Sequence, residues 1–188
     1  MDKSKQPPTE VEILRFNPCM EALQFRLKFD SFESAWNACQ RADWMLWLAH
    51  KLRIGNRKTT LAKGLCAQTV IDLMGNDVSK EATRLAISYG QGDASIEELN
   101  GIALKAFQVT YDKSRSEHFA AFAAYSVVAH SQYLDTTVAT QNAVIWSKKQ
   151  KGGLMEDAIE LGVENKKRTA DICRDILTKD VLNKISKL

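Results

Sequence analysis

A chain of 188 residues, 45% apolar and 26% charged, suits one large domain or two small ones, with a core that needs no disulfide or metal staple. Its net charge of +3 is carried by residues 113–188, residues 1–112 being balanced, and this is too little and too diffuse for a dedicated nucleic-acid domain. No uninterrupted apolar run approaches the roughly 20 residues that span a bilayer, so the chain reads as soluble.

Residues 1–16 open with the polar run MDKSKQPP and read as a loose tail. Asn17-Pro18 predicts a helix start, Asn as cap and Pro at the first helical position, with Met20, Leu23, Phe25, Leu27 and Phe29 on a broad apolar face. Asp30-Ser31-Phe32-Glu33 fits a D-x-x-E capping box for a second helix carrying Phe32, Ala35, Trp36 and Cys39. The third helix is the most apolar: Met45, Leu48, Ala49 and Leu52 recur at i, i+3, i+4, i+7, and Trp44 and Trp47 widen the stripe. It is expected at the centre of the domain, with Asp43 as N-cap and Gly55 just past its end in the left-handed region.

A fourth helix is predicted from Arg57 to Met74, closed by Gly75, and a fifth from Val78 to Tyr89, stopping at Gly90-Gln91-Gly92. Ser95-Ile96-Glu97-Glu98 is a second capping box and opens the sixth. The seventh, Ser116 to Tyr133, is dense in alanine, which lets neighbouring helices approach closely. Asp135 or Thr136 starts an eighth through Trp146, and Gly152-Gly153 is a joint within an otherwise single domain, 17–188. Beyond it a helix is expected from Leu154 to Leu177, broken near Gly162, and a short last one from Val181. No segment alternates as a strand does. The fold class is therefore all-α: a compact array of about eight to ten short antiparallel helices.

The usual catalytic signatures are missing. There is no GxxxxGK[ST] loop, HExxH or GxSxG motif, and Gly90-Gln91-Gly92 lacks a third glycine. His50, His118 and His130 are the candidate bases; His118 and His130, if on one helix, sit about 120° apart around it and share no face. Cys39 and Cys66 fall on apolar stripes, and with Cys19 and Cys173 they form no CxxC pair, so they read as core residues of a reducing compartment rather than nucleophiles. No metal or cofactor site is expected. Asp43 has a second reading, as the ion partner of Arg41. Trp36, Trp44 and Trp47 could form an aromatic ligand box, core packing being the simpler reading. Trp146 beside Lys148, Lys149 and Lys151, together with Lys166, Lys167 and Arg168, is the candidate binding surface: an aromatic among cations stacks on bases or anchors a protein interface.

Five stretches carry a resemblance: SFESAWNACQRADWMLWLAHKL, RKTTLAKGLCAQTVIDLM, SIEELNGIALKAF, the alanine-rich centre and KKRTADICRDIL. In these the chain resembles a family of small all-helical immunity proteins, the fifth-numbered immunity family of bacterial polymorphic-toxin systems, also found in phages and prophages. The resemblance spans about residues 18–178 and is most specific from Cys39 to Leu52. It implies a cytoplasmic, non-enzymatic protein, bacterial or phage-encoded, that neutralises a toxin or defence effector by binding and covering it. It brings no catalytic residues, and its motif positions, Trp36, Arg41, Asp43, Trp44 and Trp47, serve equally as structural signature or binding site. Here the centre is shortened to HFAAFAAYSVVAH, so a partner surface built there differs. A mildly basic chain calls for a neutral or acidic partner face. The alternative function is a module that binds or sequesters nucleic acid or a nucleotide through the C-terminal basic residues. Self-association is open.

Overall fold

The computed structural model of the chain describes residues 13–111, 114–129 and 135–188. The tail before Ile13, His130 and the predicted end of the seventh helix at 130–133 lie outside the described residues. Among those described the protein is all-helical, with nine α-helices and no strand. They are α1 (Met20–Arg26), α2 (Phe32–Ala38), α3 (Ala42–Lys51), α4 (Asn56–Gln68), α5 (Asp77–Gln91), α6 (Ile96–Gln108), α7 (Arg115–Val128), α8 (Thr136–Gln150) and α9 (Met155–Ile185), with a 3-10 turn at Ile71–Leu73. None is long and apolar enough to cross a membrane.

Two apolar clusters form the interior. In the first, Trp36, Met45, Leu48, Ala49, Leu52 and Cys66 pack against Ala170, Cys173, Leu177 and Val181 of α9. The second joins α5, α6, α7 and α8 to the last turn of α4, around Val70, Met74, Leu99 and Val127. Each buried Met, Leu or Val contributes about 1.5–3 kcal/mol. The alanines keep helix axes close: Ala120, Ala123, Ala124, Ala139 and Ala143 are all buried where α7 meets α8.

Helix starts follow the side chains that can reach an orphan amide. Ser95 and Glu98 form the expected reciprocal box. Asn76, Ser114 and Asp135 cap α5, α7 and α8. Several expected boundaries are displaced. Asn17 sits in the left-handed region (φ 55) and Cys19 is extended, so α1 begins two residues after Pro18. It is only seven residues long and buries none of them; Met20 and Leu27 are exposed. Ser31, not Asp30, caps α2, its hydroxyl accepting from Ser34 N at 3.0 Å.

Asp43 does not cap α3; Arg41 occupies that position, and Asp43 lies in the first turn. Gly55 does not close the helix either. Arg53 takes the left-handed position (φ 54), Ile54 N–H donates to Ala49 O and Arg53 N–H to His50 O, both at 2.9 Å. This double closure buries Ile54 against the first cluster, which sets the exit of the chain. Gly55 then precedes α4, which ends at Gln68 rather than Met74. Gly92 does close α5 in the left-handed region (φ 102).

The expected break at Gly162 is absent. α9 runs unbroken for 31 residues, about 46 Å at 1.5 Å per residue, along α8, α4 and α3. A Cβ at Gly162 would lie 2.7 Å from Ile145 Cγ1, so this glycine serves the approach of α9 to α8 rather than ending a helix. The diglycine is a closed turn: Gly152 (φ 81) donates to Lys149 O and Gly153 to Lys148 O. At the other end Ile13 is already buried and Phe16 packs on the first cluster.

Candidate binding cavity

The packing of α3 leaves one face uncovered. Asp43, Trp47, His50 and Lys51 recur at i, i+4, i+7, i+8, opposite the buried row of Met45, Ala49 and Leu52. The first two turns of α4 face them with Asn56, Thr59, Thr60 and Lys63, again at helical spacing. With Trp44, the start of α8 (Asp135, Thr136) and Cys19 at the edge, these groups enclose an open cavity of about 530 Å³. Trp44 and Trp47 are therefore half-buried wall residues, not interior filling. A small apolar crevice lies against the same two indoles, beside Phe25, Phe32 and Trp36.

The charges of the wall are ordered. Arg41 grips Asp43 with both ends of its guanidinium, Nε to Oδ1 at 2.8 Å and Nη2 to Oδ2, while its plane covers Trp44 at 4.3 Å. Asp135 accepts from Thr137 N (2.9 Å), Val138 N (3.0 Å) and the Thr137 hydroxyl (2.7 Å), so both carboxylates are engaged locally. Lys51 stands 6.0 Å from the Trp47 ring. Burial pushes the Lys63 ammonium below its ordinary range, and the Asp135 carboxylate pulls it partly back. Thr136 Oγ1 meets Ser126 Oγ at 2.7 Å beneath the floor. α4 begins without a capping side chain and without an acid in its first turn.

The remaining candidates lie elsewhere. Trp36 is buried, its indole N–H donating to Thr178 at 2.8 Å, and Arg174 donates to Cys39 O at 2.6 Å. The end of α2 and the middle of α9 thus clasp one another, which makes Trp36 structural. His118 Nδ1 sits 2.6 Å from Thr110 O, its ring beside Phe119 and Phe122. Cys39 and Cys66 are buried, Cys66 Sγ 4.0 Å from Cys173 Sγ. Among the described residues no group of three or more His, Cys, Asp or Glu is placed to hold a metal.

The basic residues form two groups. Trp146 lies under Arg115 (4.2 Å), Lys148 faces Asp157 at 3.7 Å, Lys149 donates to Gly153 O, and Lys151 is exposed. Lys166, Lys167 and Arg168 stand about 16 Å further along α9, beyond Glu156, Asp157, Glu160 and Glu164, and share no continuous basic stripe with them. The cavity residues that sequence reasoning missed, His50 aside, are Lys51, Asn56, Thr59, Thr60, Lys63, Asp135 and Thr136. Their signal was the polar row opposite the apolar one on α3, hidden by the weight of its tryptophans. Comparison of the chain with protein-family models, with curated proteins and with solved structures finds no match.

Proposed function

We propose that this chain is a binding protein that captures a small organic molecule in the tryptophan-lined cavity. The observation that carries this reading is the convergence of two indoles, two lysines, a histidine and hydroxyls on one open space of about 530 Å³, within the roughly 300–1,000 Å³ of small-molecule sites. The immunity-family resemblance supports binding over catalysis, and with a cavity in hand it takes a different form. A toxin or defence effector is neutralised by removing a molecule it needs, not by covering its surface. In the test, purified protein is mixed with a small-molecule extract of bacterial cells, desalted and heat-denatured, and the released compounds are read by mass spectrometry. The wild type releases a compound that Trp47→Ala and the cavity-filling Thr59→Arg do not hold. Release of nothing by the wild type, with unchanged tryptophan fluorescence in the extract, overturns the proposal.

A second reading, direct occlusion of a protein partner, is favoured by α9. Met155, Ile159 and Val163 lie at i, i+4, i+8 and are exposed, although the row they start is buried further along as Ala170, Leu177 and Val181. Apolar residues left bare on a helix that is elsewhere covered mark a surface able to bury a partner.

A further inference from the structure

We infer that the cavity takes a planar anion of the nucleotide class, its ring against Trp47 and its phosphate toward Lys51 and Lys63; this rests on the cavity being the binding element. Three features of the wall select the class. First, aromatic cages that hold cations offer bare ring faces, whereas here Arg41 covers Trp44 at 4.3 Å and Lys51 attends Trp47 at 6.0 Å. The attraction of the rings for positive charge is already used, and a cationic ligand meets like charges. Second, both carboxylates are held by local donors, Asp43 by Arg41 and Asp135 by the first amides of α8. With Asp43 neutralised by Arg41, the remaining carboxylate of the wall, Asp135, faces two ammonium groups, Lys51 and Lys63, so the lining is cationic on balance.

Third, the groups divide by chemistry along the cavity. α3 supplies the ring, and α4 supplies Asn56, Thr59 and Thr60, whose amide and hydroxyls suit the hydroxyls of a sugar. Trp47 and Lys51 are one turn apart on one helix, so ring and cation are presented together in a fixed relation. Stacking on an indole is tolerant of the base, because every base has a π-face. The enclosed volume suits a mononucleotide or small dinucleotide, not a polymer running through.

The test titrates the purified protein with ribonucleoside monophosphates, NAD and a cyclic dinucleotide, each against its neutral nucleoside and against inorganic phosphate, reading tryptophan fluorescence and Cys19 alkylation. At least one nucleotide quenches the fluorescence, slows alkylation of Cys19 at the cavity edge, and binds at least tenfold more tightly than its nucleoside. Lys51→Met and Lys63→Met each remove most of that tenfold without changing nucleoside binding, and Lys167→Met, on the exposed face of α9, changes neither. Equal binding of nucleoside and nucleotide, or no binding across the panel, overturns the inference. The extract experiment separates the levels: a neutral or cationic compound recovered there leaves the cavity as the binding element and rejects its class, and recovery of nothing, with unchanged tryptophan fluorescence and no binding across the panel, rejects both.

Discussion

Of the four thiols, Cys19 alone is exposed, at the lip of the cavity, and the others are interior. Burial pushes the Cys39 thiol up, and hydrogen bonding with Cys66 together with burial holds the Cys173 thiol well above its ordinary range. A raised thiol pKa means less thiolate at every pH, and the thiolate is the reactive form. At pH 8 a disulfide reagent should therefore titrate one thiol in the native protein and four in denaturant. Raising the pH toward 9 should not recruit Cys39 or Cys173 while the fold persists. A second thiol reacting natively at the rate of Cys19 would contradict the packing of α3 on α9. The same logic explains Arg41 and Asp43: the pair is close in sequence, so its ion contact was legible, but which of the two would stand at the cap was not. That choice follows from the chain's entry to α3, where Arg41 lies over Trp44 and leaves Asp43 within the first turn.

Helix-interior glycines usually gain about 1 kcal/mol of stability on replacement by alanine; two here should reverse the sign. A Cβ at Gly90 would lie 2.5 Å from Leu61 Cβ and 2.7 Å from its Cα, atoms that cannot yield without moving α4. At Gly162 the clash is with the outer atoms of Ile145, which can turn. Gly90→Ala should destabilise by about 2–3 kcal/mol and Gly162→Ala by less, in line with the cost of overpacking, as read by urea denaturation. Stabilisation by Gly90→Ala would show that α4 and α5 are not in this contact. These glycines also mark the limit of what the sequence disclosed. Periodicity located each of the nine described helices, although it divided α9 at Gly162 and set a separate helix at Val181, and the Ser95–Glu98 box and Gly92 were readable because cap chemistry is local. Gly162 was not readable, because its reason lies on Ile145, a helix away. The cavity was half legible in the same sense: the polar row of α3 is in the spacing, but its meeting with α4 and α8 is tertiary.

At the scale of the molecule the cavity opens at the seam of the two apolar clusters, with Leu46 and Ile54 on its wall from the first and Val127 from the second. α9 helps to hold the clusters together from behind, Asn165 donating to Thr69 at 3.0 Å, and no residue of α9 lines the cavity. A ligand in the seam bridges α3, α4 and α8, so it should stabilise the whole fold, by about 2.7 kcal/mol at a hundredfold excess over its Kd. The bare row of α9 is a separate surface, so the two readings proposed above, neutralisation by capture and neutralisation by cover, make different predictions. In cells carrying the effector, capture predicts that Trp47→Ala and Thr59→Arg abolish protection while Ile159→Ser with Val163→Ser leaves it intact, and that heating the purified complex frees a molecule able to restore the effector. Cover predicts the reverse pattern, with nothing freed by heat. Survival of protection in the cavity variants and its loss in the α9 variant would move the function from the hollow to the helix.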